Sequence, residues 1–295
     1  MMNNFLAYVN WTVNPVAFSL GSLEVRWYSI FLLVGFALAV FTLAKEFKLE
    51  KVPQEVLDNF AFYCILWTLI GLRLGHFLFY DRQYFIEAPW EIILPFDSDW
   101  NFIGYQGLAS HGGVIAIILY VTYFVRKHKI NFFWLLDRVA VAVMIAATLV
   151  RVGNLFNHEI VGSITDVNWA FNFAYGGHGV GGTLRHPAQL YEAIVYLFTY
   201  IGLVFYYFKI AKGNVPPGRT TGILLIVVFA ARFIIEFFKE VQVEKELSMT
   251  LDIGQYLSIP FVIIGAGLLV YSIINKDKIP HYDPNKDPAL KKEKK

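Results

Sequence analysis

The chain has 295 residues, of which 57% are hydrophobic and only 16% charged, with a formal net charge of +2 and a mean hydropathy of +0.50. A soluble domain carries about a quarter charged residues, so much of this surface does not face water and a soluble globular domain is excluded. The basic residues gather in short clusters beside apolar runs, which marks membrane topology and excludes a nucleic-acid-binding surface.

No Lys or Arg precedes Arg26, so the basic segment of a cleavable signal is missing and the apolar run from Trp27 is expected to be a retained first span. A span needs about 20 mostly apolar residues. Seven segments qualify, at 27–44, 58–80, 112–125, 133–153, 188–208, 220–238 and 252–274, the third beginning nearer Gly107. The predicted fold is an all-α membrane protein of about seven transmembrane helices, a single domain over residues 1–275 with a basic tail over 276–295.

Lys45, Lys48 and Lys51 follow the first span, Arg126, Lys127 and Lys129 the third, and Lys209, Lys212 and Arg219 the fifth; the tail adds seven more lysines from Lys276 onward. The alternate connections hold mainly Arg82, Arg185, Lys239 and Lys245. By the positive-inside rule the N-terminus is outside and the C-terminus cytoplasmic. The larger outer connections are then residues 81–106, whose Trp90, Pro95 and Trp100 suit an interfacial segment, and residues 154–187, rich in Gly and Asn, which predict a small extracytoplasmic cap. The Lys- and Pro-rich tail is expected to be unstructured. No internal repeat is evident, which speaks against a transporter built from two related halves.

Charges in or beside spans are costly and mark function. On this topology they converge on the outer leaflet from six spans: Arg26 and Tyr28; Arg73 and His76; His111, followed by Gly112 and Gly113; Arg151, followed by Asn154, Asn157 and Glu159; Arg185, His186, Tyr191 and Glu192; Arg232 and Glu236. Arginines offer planar paired donors to a phosphate, and His111 is a proton acceptor suited to neutral pH. The two glycines permit close approach of a backbone or a substrate. Plainer readings stand beside these. Arg232 and Glu236 have the i,i+4 spacing of a structural salt bridge, Glu159 fits a partner of Arg151 that holds the cap, Arg26 fits a snorkelling interfacial residue, and His76 fits an interior histidine. Asp137 and Arg138, at the other end of the fourth span, read as a boundary pair or helix-start anchor.

The histidines lack metal-ligand spacing and no phosphate loop of the nucleotide-binding type occurs, so neither a metal nor another cofactor is expected. The single cysteine, Cys64, lies in an apolar run and reads as a buried hydrophobe. A flippase would need a polar path reaching both sides, and a phosphatase or acyltransferase its own nucleophile or metal; neither is apparent.

Arg151-Val-Gly-Asn-Leu-Phe-Asn-His-Glu159 resembles the signature of the prolipoprotein diacylglyceryl transferase family. His111-Gly-Gly, Arg185-His-Pro-Ala-Gln-Leu-Tyr-Glu192, Arg232-Phe-Ile-Ile-Glu-Phe-Phe238, Arg26-Trp-Tyr28 and Gly71-Leu-Arg-Leu-Gly75 resemble further family elements, in order, over about residues 15–275. Two positions depart from the pattern: Val150 replaces a glycine, and Val228 a tyrosine. The resemblance implies transfer of the diacylglyceryl group of phosphatidylglycerol to the lipobox cysteine of a preprolipoprotein signal peptide, forming a thioether and releasing glycerol phosphate. It implies an enzyme of the bacterial inner membrane, facing outward. In this reading His111 activates the thiol and Arg151 and Arg232 hold the phosphate, with Arg73 or Arg185 as helpers. Asn154 and Asn157 orient the headgroup, Glu159 and Glu236 hold the arginines, and Tyr28, His186, Tyr191 and Glu192 complete the substrate site.

Overall fold

The computed structural model describes residues 8–21, 23–79, 90, 94, 96, 100, 109–177, 180–240 and 250–288. The expected interfacial segment at 81–106, with Arg82, lies almost wholly outside the described residues, as do Gly107 and Lys245. Seven helices are present among the described residues: α1 (Trp27–Leu49), α2 (Gln54–Phe79), α3 (Ser110–His128), α4 (Phe132–Phe156), α5 (Ala188–Phe205, continued by a π-helix at Tyr206–Ala211), α6 (Arg219–Glu236) and α7 (Ile253–Ile274).

The protein is a helical, multi-pass membrane protein. The helices α1, α2, α4, α5 with its π-helical continuation, and α7 are long and apolar enough to cross a membrane. Their outward faces carry bare apolar side chains such as Leu33, Phe62, Ile263 and Ile274, which water would not tolerate in such density and lipid does. The helix α6 holds three charges, Arg219, Arg232 and Glu236, in 18 residues, and α3 has two glycines at its start and a basic end.

Among the described residues five short strands accompany the helices. β1 (Val9–Trp11) runs parallel to β4 (Phe171–Phe173), which pairs antiparallel with β5 (Leu184–Arg185), while β2 (Val16–Leu20) and β3 (Leu23–Arg26) form a hairpin. The predicted cap at 154–187 therefore takes its third strand from the N-terminal segment, and Trp11 is fixed there by donating its indole N–H to the carbonyl of Leu155 at 3.0 Å.

Two compact units make up the chain, Met1–Glu46 with Asp137–Pro280, and Phe47–Leu136 with His281–Lys295. In the second unit α2 and α3 cross with their backbones nearly touching. A side chain on Gly112 would run into the carbonyl of Gly71, and one on Gly75 into the backbone of Gly112. Small residues four apart permit such close helix crossings in membranes. The space beside Gly112 is thus taken by a neighbouring helix, and that beside Gly113 by the side chain of Leu72. The same unit contains a packed piece of the tail that composition had assigned to disorder. The fully buried Asp287 meets Nδ1 of His128 at 2.8 Å and accepts a hydrogen bond from the Tyr282 hydroxyl at 2.8 Å.

In the first unit a buried acidic residue fixes the start of α6. Asp137 accepts the backbone N–H of Gly218 at 2.7 Å and of Thr221 at 3.0 Å, and the hydroxyls of Thr220 and Thr221 at 3.0 and 2.9 Å. The first N–H groups of a helix have no partner within it, and a carboxyl group supplied from α4 satisfies them and matches the positive end of the helix dipole. Asp137 is a helix-start anchor, as its sequence position suggested, but for α6 and not for its own helix. Arg138 beside it donates to the carbonyl of Gly213 at 3.3 Å and lies over the Tyr207 ring. Replacing Asp137 with alanine strands several buried donors. It is expected to cost on the order of 3 kcal/mol and to lower the melting temperature, followed by helical circular dichroism in detergent, by roughly 10 °C.

Candidate active site

Arg151 stands near the end of α4, where the helix runs into the cap. Its Nε meets Glu192 Oε2 of α5 at 2.5 Å, and Nη1 donates to Oδ1 of Asn154, one turn on, at 3.3 Å. Asn154 passes the interaction outward, donating Nδ2–H to Glu159 Oε1 at 2.7 Å, and Asn157 reaches the same oxygen at 3.5 Å. Glu159 is exposed while Glu192 is 1% exposed. The direct carboxylate partner of Arg151 is therefore Glu192, with Glu159 linked through Asn154. Gln189, one turn before Glu192 and fully buried, ties the two segments by donating to the backbone carbonyl of Glu159.

Two tyrosines close over this pair. Tyr28 of α1 packs on Gly153 of α4, where a methyl group would come within 2.9 Å of its ring, and it lies within electrostatic range of Glu159 and Arg151. Tyr196, one turn after Glu192, is buried and within hydrogen-bonding reach of Arg151. Val228, where the family pattern has a tyrosine, packs in the same apolar cluster as Tyr196.

From α6 come Arg232 and Glu236. Arg232 is partly buried and within electrostatic range of Glu192 and Tyr196, yet it makes no hydrogen bond or ion pair with any other described residue. Glu236 turns instead to Lys239, whose Nζ lies 3.2 Å from Glu236 Oε2 and 2.9 Å from Glu192 Oε1. Arg151, Glu192, Lys239 and Glu236 thus form one ion-paired chain across α4, α5 and the end of α6, with Arg232 beside it.

The remaining residues of the fifth-span motif serve the cap. Arg185 is buried in β5, paired with Glu240 Oε1 at 2.9 Å and donating to the carbonyl of Gly162 and the hydroxyl of Thr183. His186, Tyr191 and Trp169 form a short relay. The indole N–H of Trp169 donates to the Tyr191 hydroxyl at 2.9 Å, and that hydroxyl lies 2.9 Å from His186 Nδ1. Indole nitrogen only donates, and with His186 neutral and its proton on Nε2 the tyrosine can give its own proton to Nδ1. Burial pushes His186 below the usual imidazole range, in the same direction. Donation from Tyr191 to Nδ1 requires the neutral ring, and it ends as pH falls and His186 gains a proton.

The other candidates belong to the second compact unit. Arg73 is buried with its guanidinium 4.8 Å from the Phe77 ring, and His76 lies edge-on to the same ring. His111 is the second residue of α3, half-buried, with its ring edge-on to Phe79 at 4.9 Å. Sequence reasoning missed Lys239 and Tyr196 as members of the arginine cluster. The available signal was spacing, since each lies one helical turn beyond a glutamate of the cluster. Among the described residues no group of three or more His, Cys, Asp or Glu side chains is placed to hold a metal.

The family model for prolipoprotein diacylglyceryl transferase matches residues 15–271. The chain belongs to that family. It is similar to the phosphatidylglycerol–prolipoprotein diacylglyceryl transferase of Bacteroides fragilis, with 42% identity over 90% of this chain and 95% of the relative. The similarly named proteins of Chloroherpeton thalassium and Tolumonas auensis are 41% and 36% identical, each over 90% of this chain and over 95% and 98% of the relative. As a prolipoprotein diacylglyceryl transferase family member the chain is a transferase, and its arginine cluster is built from three of the six segments that carried the resemblance, those on α4, α5 and α6.

Proposed function

We propose that the enzyme transfers the diacylglyceryl group of phosphatidylglycerol to the lipobox cysteine of a preprolipoprotein signal peptide, the first step of bacterial lipoprotein maturation. The thiolate attacks the glyceryl carbon that bears the phosphate ester. A carbon–sulfur bond forms as the carbon–oxygen bond breaks, and the electron pair leaves with glycerol phosphate. The thiol must first lose its proton, because the thiolate is the nucleophile. His111 takes that proton. Charge gathers on the departing phosphate, and donors aimed at developing charge in a water-poor site lower the barrier most. The observation that carries this reading is Arg232, a partly buried cation beside the Arg151–Glu192 pair and ion-paired with no described residue. Arg151 and Arg232 hold the phosphate. Asn154 and Asn157 orient the headgroup, with Glu159, Glu192 and Tyr28 around them, and no cofactor takes part.

A lipid substrate is supported by the apolar groove of about 330 Å³ between α6 and α7, lined by Phe233, Ile234, Val262 and Ile263. It starts one residue from Arg232 and suits an acyl chain. The lysine and arginine distribution supports seven spans in the inner membrane, an outward N-terminus and a site on the extracytoplasmic side. Residues 1–275 form the catalytic domain, with outer segments at 81–106 and 154–187, and residues 276–295 form the cytoplasmic tail.

The test is direct. Purified protein in detergent is given phosphatidylglycerol with labelled acyl chains and a lipobox peptide. Label is expected on the Cys peptide and not on its Cys→Ser counterpart, with one glycerol phosphate released per thioether. No transfer by folded protein from any anionic phospholipid would overturn the reading.

A further inference from the structure

Arg232 and Glu236 sit four residues apart on α6, the spacing at which an arginine and a glutamate pair on a helix surface. In this protein they do not. Glu236 is seated against Gly254 of α7, where an added methyl group would meet the carboxylate at 2.5 Å, and its Oε2 is taken by Lys239. The lysine is itself fixed on several sides. Its Nζ also holds Glu192 Oε1, its side chain is 5% exposed, and its backbone bridges to Gly162 of the cap, with Ser163 N–H donating to the carbonyl of Phe238 at 2.9 Å. A buried ammonium ion is costly unless paired; two carboxylates on two helices meet that need.

We infer that Lys239 is a positioning residue for the transfer reaction: it captures Glu236, and so leaves the Arg232 guanidinium to the phosphate of the lipid. Charge supports the same assignment. The cluster places three cations, Arg151, Arg232 and Lys239, against the carboxylates of Glu192 and Glu236. Without Lys239 the sum falls to zero, and Glu236 gains a reason to turn back one helical turn onto Arg232. A ligand that needs a free arginine then binds only the fraction of molecules in which it is free, and the apparent affinity falls by that fraction. The inference rests on the reading of Arg232 as a phosphate ligand.

The experiment measures transfer by the full-length protein, with phosphatidylglycerol and peptide varied separately, for K239M, K239R, E236Q, K239M/E236Q and R232Q. K239M is expected to raise KM for phosphatidylglycerol about tenfold with the peptide KM unchanged, and K239R to restore it. With Glu236 already neutral, removing Lys239 should add less than about threefold, so K239M/E236Q should resemble E236Q. That comparison carries the test should K239M alone fail to fold. Equal rises in both KM values, or a double variant at least tenfold worse than E236Q, would overturn the role of Lys239. R232Q separates the two readings. Full turnover by R232Q removes the phosphate assignment and this inference with it, whereas an inactive R232Q beside an unaffected K239M removes the inference alone.

Discussion

Replacing Arg232 with glutamine is expected to lower diacylglyceryl transfer by about 10²–10³-fold, the scale set by losing one strong donor to developing negative charge, without loss of stability. Arg151→Gln should cost at least as much activity and destabilise the protein by about 3 kcal/mol as well, because it strips one of the two cations paired with the buried Glu192 and leaves Lys239 alone with it. The contrast follows from geometry. Arg151 is committed to Glu192 and Asn154 before substrate arrives, whereas Arg232 has no ion pair with any described residue to lose. Transfer rates from labelled phosphatidylglycerol, with melting curves of the same samples, measure both halves. An R232Q protein that turns over normally would remove the phosphate clamp. An R151Q protein as stable as the parent would show that Glu192 is satisfied without it, through Lys239.

The arginine cluster was legible in sequence because charge is so costly in an apolar helix that its mere presence at positions 151, 192, 232 and 236 marks a site. Pairing was not legible. The spacing of Arg232 and Glu236 permits a salt bridge, and nothing local to α6 reveals that Lys239 and Gly254 together take the carboxylate away. Likewise Glu159 is nearer Arg151 in sequence than Glu192 is, but the turn after α4 sends it outward, and the direct partner arrives from α5. The helices were visible as long apolar runs. The strands were not, since each has two to five residues and β1 finds β4 about 160 residues further along the chain. The packed tail escaped for a related reason. Its composition is that of a disordered segment, and the buried His128, contributed by α3, gives Asp287 a reason to fold back that composition does not show. The cap motif Arg185-His-Pro-Ala-Gln-Leu-Tyr-Glu192 joins both kinds of information. Its last residue enters the ion-paired chain, while Arg185, His186 and Tyr191 hold the cap together.

His111→Ala is expected to reduce transfer at neutral pH by about 10²–10³-fold, within the range for loss of a general base, and the deficit should shrink as pH rises. A cysteine thiol ionises near pH 8.5 without help. Above that value the peptide supplies its own thiolate, and a base has nothing left to do. The parent enzyme should therefore show a shallow rise in rate between pH 7 and 9, and the variant a rise approaching tenfold per unit until the thiol is ionised. A purely structural role predicts something else. His111 opens α3 directly beside the Gly112 crossing with α2. A variant that disturbed this packing would lose activity by the same factor at every pH and would melt at a lower temperature. Parallel pH–rate profiles for parent and variant would thus overturn the base assignment while leaving the arginine clamp standing. Converging profiles, with an unchanged melting curve, would separate the two halves of the reaction: removal of the thiol proton, which depends on His111, and departure of the phosphate, which depends on Arg151 and Arg232.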